Sequence, residues 1–189
     1  MSILTGSDLF DSPAAPSLLT AEEFCRRFAD GRRELVRGVV KESPMPWTVH
    51  GIICALMARL LGNFVADRGL GRVLGNDTFF ITRRSPDGVR GMDVAYISYA
   101  RFPRGPFVDG PLAVAPELVV EVRSPSDLFA KVDEYLEAGV LVVVIVDADS
   151  RTVSTYRPGT NRTTIPEGGT LELPDVLPGF SVAVSALFE

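Results

Sequence analysis

The sequence predicts one α/β domain whose central β-sheet has mixed strand directions. The main observation is that residues 117–146 contain an apolar strand, an amphipathic helix and a second apolar strand, in that order. This order implies a crossover connection between two parallel strands. Shorter β-rich stretches with turn residues lie on both sides and favour antiparallel pairs. A chain of 189 residues, 46% hydrophobic and 23% charged, is suited to one core.

Composition and termini narrow the class of protein. Residues 1–17 are rich in Ser, Pro, Gly and Asp, so we expect a flexible leader before a folded domain over residues 18–189. The net charge of −5 means that binding to a polyanion needs a local basic patch. Neither a signal peptide nor a bilayer-spanning apolar stretch is recognised, so no membrane role is expected. Cys25 and Cys54 fit reduced thiols, which favours the cytoplasm, and a single histidine, His50, excludes sites that need two imidazoles.

The first predicted element is a short helix that begins after Thr20. Thr20 and Glu23 have the spacing of a capping box, in which each side chain bonds the backbone N–H of the other residue. Phe24 and Phe28 lie four residues apart and share one face, and Gly31 is expected to end the helix.

A hairpin and a long helix follow. Residues 34–36 and 39–41 flank Arg37-Gly38, a turn in which glycine permits a positive φ angle. Residues 48–67 carry apolar side chains at intervals of three and four, which predicts an amphipathic helix, and Gly69 follows as its C-terminal signal.

Three β-rich stretches are then expected to form a meander, at residues 73–74, 79–81 and 94–97. The first two are separated by Gly-Asn-Asp at 75–77, and the last two by Ser-Pro-Asp-Gly at 85–88, both of which are turn sequences.

Residues 117–122 and 141–146 are almost wholly apolar, as is typical of central strands covered on both faces. Residues 125–139 between them form an amphipathic helical pattern. Two further strands, at 151–156 and 179–184, are predicted in the tail, with a Pro- and Gly-rich loop between them.

Two carboxylates embedded in apolar strands are the candidate chemistry. Asp93 begins one strand and Glu121 lies inside another, where an ionised carboxylate is costly unless a cation or donors compensate. Because strand side chains alternate, Val119, Glu121 and Arg123 share one face. Glu121 and Arg123, two residues apart, together with Asp93 at the end of a neighbouring strand, could hold a divalent cation and a scissile phosphate between them. This pattern alone is weak, because such an acid is more often an ion-pair partner, here of Arg123 or Lys131.

A family resemblance strengthens the hydrolytic interpretation. From residue 20 to the C-terminus the chain resembles the Uma family of putative restriction endonucleases. The residues that carry this resemblance are Glu34-Leu35-Val36-Arg37-Gly38, His50, Asp93-Val94, the run from Pro116 to Ser126, Asp127, Lys131, Tyr135, Gly139-Val140, Val146-Asp147 and Leu177-Pro178-Gly179-Phe180.

The resemblance implies the restriction-endonuclease-like core of the PD-(D/E)XK nuclease superfamily. In that core, Asp93 and Glu121 would bind Mg²⁺, for which Mn²⁺ is expected to substitute. Lys131, one helical turn after the strand, would orient or activate the attacking water. Glu34 would act as an accessory acid that positions water, metal or Lys131.

Two departures from the superfamily pattern bear on this site. Met92 stands where the motif has proline, which shapes backbone and supplies no ligand. Arg123 stands where the motif has lysine, and a guanidinium stabilises phosphate charge but cannot act as a general base.

Simpler roles remain open for several of these residues. Glu34 fits a hairpin ion pair with a nearby arginine as well as it fits an accessory acid. His50 would bond a phosphate or the accessory acid, but a capping or partly buried histidine is the commoner case. Asp127 and Lys131 have the spacing of an ordinary helical ion pair, and Tyr135 on the same face would simply pack.

The expected function is therefore a cytoplasmic, Mg²⁺-dependent endonuclease that hydrolyses phosphodiester bonds, with DNA the expected nucleic acid. Arginine pairs would supply the phosphate-binding rim, and enzymes of this fold commonly pair, so a homodimer is expected. The alternative is a non-catalytic nucleic-acid-binding or scaffold module with a degenerate nuclease site, which the net acidity and Arg123 both fit. The arginine pairs are Arg26-Arg27, Arg32-Arg33, Arg83-Arg84 and Arg101 with Arg104.

Overall fold

The computed structural model of the protein describes residues 18–28, 33–43, 45–106, 109–123 and 128–189. The helices are α1 (Ala21–Phe28), α2 (Thr48–Arg68) and α3 (Leu128–Glu137), with a 3₁₀ turn at Val184–Leu187. The strands are β1 (Arg33–Val36), β2 (Val39–Glu42), β3 (Gly71–Arg83), β4 (Gly88–Ser98), β5 (Leu118–Val122), β6 (Val142–Asp147), β7 (Thr152–Tyr156), β8 (Thr163–Pro166), β9 (Thr170–Glu172) and β10 (Ser181–Ala183). The leader predicted at 1–17 lies outside the described residues.

The main sheet has eight strands and mixed directions. Seven of them follow the order β2-β1-β4-β5-β6-β7-β8, and β3 pairs with β4 outside this path. Among the described pairs of strands, only β5 and β6 run parallel, and the chain passes between them through α3. This arrangement confirms the predicted α/β class with a mixed sheet flanked by helices.

The central strands separate two apolar layers. On one face, Val120 packs with Leu61 of α2, and on the other face Val119 packs with Val132 of α3. All five residues of β5 are buried, as predicted for a strand covered on both sides. A polar group in this strand therefore has little contact with bulk water and needs partners within the protein.

The first helix and the hairpin have the predicted local geometry. The Glu23 backbone N–H donates to Thr20 Oγ1 at 3.2 Å, and the Thr20 N–H donates to Glu23 Oε2 at 3.1 Å, which completes the capping box. In the turn, Arg37 and Gly38 both have positive φ, at 50° and 78°. Gly31, expected to end the helix, lies outside the described residues.

The predicted meander of three strands is wrong, because residues 73–74 and 79–81 belong to the single strand β3. The sequence at 75–77 forms a β-bulge where a turn was expected: the register against β4 shifts between Gly75 and Thr78. Asn76 and Asp77 within it have φ of 61° and 54°. Asn and Asp tolerate the left-handed region in bulges as well as in turns, so the composition alone does not separate the two structures.

Helix α2 covers one face of the sheet and ends as predicted, with Gly69 at a φ of 62°. The helix is long and apolar enough to cross a bilayer by length and composition alone, contrary to the expectation that no such stretch exists. Its inner face nevertheless packs on the sheet through Ile53, Met57, Leu61 and Val65. Exposed apolar side chains cluster at and before its start, namely Met45, Trp47, Val49 and Ile52.

The tail contains more strands than predicted. β7 and β10 lie where strands were expected, but the intervening loop also forms β8, which pairs with β7, and β9, which pairs with β10. These strands have three or four residues with mostly exposed side chains, so they lack the apolar alternation from which a strand is recognised.

Candidate active site

Asp93 and Glu121 lie on neighbouring strands at the same end of their pairing. The last registered pair of β4 and β5 on this side is Val94 with Val120, and Asp93 and Glu121 are the next residues along each strand. Both are buried, with relative exposures of 8% and 4%. The antiparallel pairing therefore places the two predicted acids on adjacent strands in one buried region.

Helix α3 supplies the partners of Glu121. Lys131 Nζ lies 2.9 Å from Glu121 Oε2, and the Tyr135 hydroxyl donates to Glu121 Oε1 at 2.8 Å. Residues four apart on a helix share one face, so both donors reach the same carboxylate. Of the two ion-pair partners considered for Glu121, Lys131 is the one that the structure shows.

Glu34 completes this cluster from β1. Its Oε1 lies 3.1 Å from Lys131 Nζ and also accepts the Gly91 N–H at 3.1 Å, while its Oε2 accepts Arg90 Nη1 at 3.0 Å. Glu34 therefore contacts Lys131, and its arginine partner is Arg90 of β4, where the alternative had been an arginine near the hairpin. Lys131 Nζ also lies 3.2 Å from the Gly91 carbonyl oxygen, which ties the cluster to β4.

A second ion pair fixes the arginine that holds Glu34. Arg90 is almost fully buried at 1% exposure, and its Nε and Nη2 donate to Glu134 Oε2 at 2.9 and 2.7 Å. Thr82 in turn donates to the other oxygen of Glu134. A buried guanidinium is tolerated only when its donors are satisfied, and here carboxylates on β1 and α3 share that task.

Asp93 contacts the first turn of helix α2. Its Oδ2 accepts the Val122 backbone N–H at 2.7 Å and lies 3.2 Å from His50 Nε2. The other ring nitrogen of His50, Nδ1, lies 3.5 Å from Cys54 Sγ. Among the residues that the structure describes, none donates a hydrogen bond to Asp93 Oδ1.

The environment shifts the proton affinity of the cluster. Burial raises the pKa of Glu121 to about 7, although the ammonium of Lys131 opposes that change, and the charge of Asp93 adds to it. For Lys131, burial lowers the pKa, but the carboxylates of Glu121 and Glu34 outweigh burial and leave the pKa above its usual range. Lys131 is therefore a protonated hydrogen-bond donor at neutral pH.

The groups around Asp93 are shifted too. The hydrogen bond to Asp93 raises the pKa of His50 despite the opposing effect of burial. Burial and the negative charge of Asp93 raise the pKa of the Cys54 thiol, which is therefore protonated at neutral pH. Asp77, in the bulge of β3, has a pKa raised by burial and by Asp93. The bulge thus brings a further acid toward this end of the sheet.

Arg123 lies apart from the acids. Its exposed guanidinium pairs with Asp147 of β6. It lines an open groove of about 530 Å³ together with Arg162 and the hydroxyls of Ser154 and Thr164, and neither Asp93 nor Glu121 lines that groove. Of the predicted site residues, Glu34, Glu121 and Lys131 meet directly, Asp93 lies on the adjoining strand, and Arg123 is at the rim.

Sequence reasoning missed several members of the site. Tyr135 was expected only to pack, yet its hydroxyl bonds Glu121, and its position four residues after Lys131 is the signal that identifies it. The partner of His50 is Asp93, which was not considered. Arg90 and Glu134 carry no sequence signal beyond charge within apolar elements. Asp127, the predicted helical partner of Lys131, lies outside the described residues.

Comparisons with known proteins identify this architecture. The mixed sheet with its strand–helix–strand crossover is a nuclease-like fold, as the sequence predicted. The chain belongs to the Uma2 family, described as "Putative restriction endonuclease", whose model matches residues 21–185.

A solved structure has the same fold. A putative nuclease belonging to DUF820 from Anabaena variabilis ATCC 29413 superposes with a TM-score of 0.79 at 20% sequence identity, and the match covers 90% of this chain and 97% of that chain. Among curated proteins, none matches the sequence.

Proposed function

We propose that the protein is a divalent-metal-dependent endonuclease of the PD-(D/E)XK type that hydrolyses phosphodiester bonds in DNA. The observation that carries this proposal is the buried acid pair, Asp93 and Glu121 on adjacent strands, with the ammonium of Lys131 at 2.9 Å from Glu121. Membership of a nuclease-like family supports the same reaction class.

The donor set fits a hard divalent cation. Asp93 and Glu121 offer carboxylate oxygens, the ligands that Mg²⁺ and Mn²⁺ prefer. Asp93 Oδ1 has no hydrogen-bond donor among the described residues, and each Glu121 oxygen retains a lone pair beyond its one donor. These two residues would hold Mg²⁺, or Mn²⁺ in its place. When bound, the ion supplies Lewis-acid neutralisation of charge on the phosphate.

The protein's own groups position the reactants. The protonated Lys131 does not act as a base, because its pKa lies above the usual range. Its three donors contact Glu34, Glu121 and the Gly91 carbonyl oxygen, so it would orient a water molecule by exchanging one of these contacts for the water. Glu34 keeps the lysine at the end of β5. Arg90 and Glu134 hold Glu34 in turn, so this role depends on a chain of buried charge pairs.

Nucleic acid is expected to reach the site past Arg123 and Arg162. These two cations line the open groove and would contact backbone phosphates, with Arg123 stabilising charge at the phosphate nearest the acids. Two of the other basic candidates, Arg84 and Arg101, have local partners. Arg84 pairs with Glu22 and Asp87, and Arg101 bonds carbonyls of its own loop.

A plasmid-nicking assay with Mg²⁺ or Mn²⁺ tests the proposal. The full chain should nick supercoiled DNA, and Asp93→Asn and Glu121→Gln should each reduce the rate by a factor on the order of 100 or more while the circular dichroism spectrum stays native. Glu172→Gln, an exposed acid on β9, is the matched control and should cleave normally. Undiminished cleavage by either site variant would eliminate the assignment.

Metal titration separates the enzyme from a non-catalytic binding or scaffold module. Calorimetry should show Mg²⁺ or Mn²⁺ binding that Asp93→Asn and Glu121→Gln abolish, whereas a degenerate site would bind neither ion. We also propose a cytoplasmic homodimer, because two subunits would address the two strands of a duplex and both cysteines are free thiols. Sedimentation that gives only monomer would contradict the dimer.

A further inference from the structure

A cluster of three different metal-ligating groups lies beside the proposed nuclease site. One ligand atom each from His50, Cys54 and Asp93 fall within 4.8 Å of one another, and no other group of three or more such residues occurs in the part of the chain that the structure describes. We propose that these residues form a second cation site, for a borderline-soft transition-metal ion of the Zn²⁺ class.

Local structure explains why the three ligands converge. His50 and Cys54 are four residues apart on α2 and therefore project from one helical face. Asp93 lies on β4, and its Oδ2 faces the His50 ring. All three residues are half-buried or buried, which limits competition by bulk water.

One ligand atom from each residue lies within 4.8 Å of the others, so modest side-chain shifts would bring all three to one small tetrahedral ion. With bonds of about 2.0 Å to nitrogen and oxygen and about 2.3 Å to sulfur, tetrahedral ligands stand roughly 3.3–3.8 Å apart. The His50–Asp93 and His50–Cys54 separations are 3.2 and 3.5 Å. The two short contacts involve different ring nitrogens, and a bound ion would take only one of them, so the other contact would be given up. The three protein ligands leave a fourth position open.

Ligand chemistry distinguishes this site from the Mg²⁺ site. A thiolate and an imidazole favour Zn²⁺ or Co²⁺ over Mg²⁺, whereas Asp93 with Glu121 presents only hard oxygen. Binding forms a metal–sulfur bond and releases the Cys54 thiol proton to solvent, with no change of oxidation state. The inference goes beyond the proposed function: it shares Asp93 with the nuclease site but requires no phosphodiester cleavage.

Cobalt titration of the full chain, in a phosphine reductant, tests the site directly. Co²⁺ should produce the near-ultraviolet thiolate-to-metal charge-transfer band, and Zn²⁺ should displace it. Cys54→Ser should abolish the band and weaken Zn²⁺ binding by about tenfold or more, since loss even of an outer contact costs that much at metal sites. Cys25→Ser, which changes the other thiol on α1, is the matched control and should keep the band.

A second variant separates this inference from the nuclease proposal. Glu121→Gln should lose Mn²⁺ binding yet keep the cobalt–thiolate band. If the wild-type chain fails to nick DNA but shows the band, the nuclease proposal fails and the second site stands. Absence of the band in wild-type protein, its persistence in Cys54→Ser, or its loss in Cys25→Ser would overturn the second site.

Discussion

Glu34 and Glu121 share one cation, the ammonium of Lys131, although their strands are not neighbours in the sheet. The ammonium lies 3.1 Å from the first carboxylate and 2.9 Å from the second, and β4 runs between β1 and β5. Lys131 also reaches the Gly91 carbonyl on that middle strand. One side chain from the crossover helix α3 therefore contacts three neighbouring strands, β1, β4 and β5.

Removing this cation should be costly. Lys131→Met leaves two buried carboxylates without their shared partner, and breaking a buried pair in this way typically costs about 3–5 kcal/mol. The free energy of unfolding from urea titration measures the loss. Lys41→Met, at an exposed position on β2, should change stability by less than about 0.5 kcal/mol. Equal effects of the two substitutions would show that the buried pairs contribute nothing specific.

The pKa of Glu121 makes stability depend on pH. Its folded-state pKa of about 7 lies above its unfolded value of 4.5, so the native state holds a proton that the unfolded chain has lost between those values. Stability should therefore fall as pH rises through this window, by about 3 kcal/mol at most. In Glu121→Gln this fall should disappear from the pH series of unfolding free energies. The exposed Glu137→Gln on α3 should retain it, and an unchanged slope in Glu121→Gln would refute the assignment.

The Tyr135 hydroxyl is expected to stabilise the ionised form of Glu121. Tyr135→Phe keeps the ring in the core but removes a buried donor, which should cost about 1–3 kcal/mol. The same change should move the pH-dependent fall in stability to higher pH, because the carboxylate loses a donor to its charged form. Tyr156→Phe is the comparison, since the Tyr156 hydroxyl makes no hydrogen bond within the described residues. A purely packing role for Tyr135 would leave both readouts near wild type.

His50 offers a direct probe of Asp93. It is the single histidine of the chain, so its imidazole resonance in a proton NMR titration needs no assignment. The hydrogen bond to Asp93 should place its pKa above 6.5, and Asp93→Asn should lower it. The linked stabilisation is complete below 6.5 and is lost as pH rises through the folded-state pKa. Asp67→Asn, exposed near the end of α2, should leave the titration unchanged, and insensitivity to Asp93→Asn would exclude the pair.

Much of the fold follows from local patterns with a clear physical cause. Three features are determined by residues that are neighbours in the sequence, because each satisfies a local hydrogen-bonding or steric requirement. They are the capping box at Thr20, the turn at Arg37-Gly38 and the left-handed Gly69. The bulge at Asn76 and Asp77 is not determined locally. Bulges and turns use the same residues, and the difference depends on whether the flanking strand continues. The short strands β8 and β9 depend on pairing with distant partners and bury few side chains.

The two buried acids of the candidate site could be picked out from the sequence, but the residues that hold them could not. Asp93 and Glu121 are recognisable because a carboxylate within an apolar strand demands a partner. Which cation satisfies Glu121 depends on the direction in which α3 packs, and this selects Lys131 and leaves Arg123 with Asp147. Arg90 and Glu134 hold Glu34 in place. Because they lie on separate elements, the sequence gives no sign that their charges pair.

Because Lys131 contacts three strands, its cluster of charged groups forms late while the chain is being synthesised. The groups that it joins come from the first hairpin, the two middle strands and the helix after them, so the cluster forms only when residues 34 through 131 have all emerged and folded. A chain that ends before residue 131 therefore lacks the contacts of Lys131 with Glu34 and Glu121, even if its earlier helices and hairpin have formed.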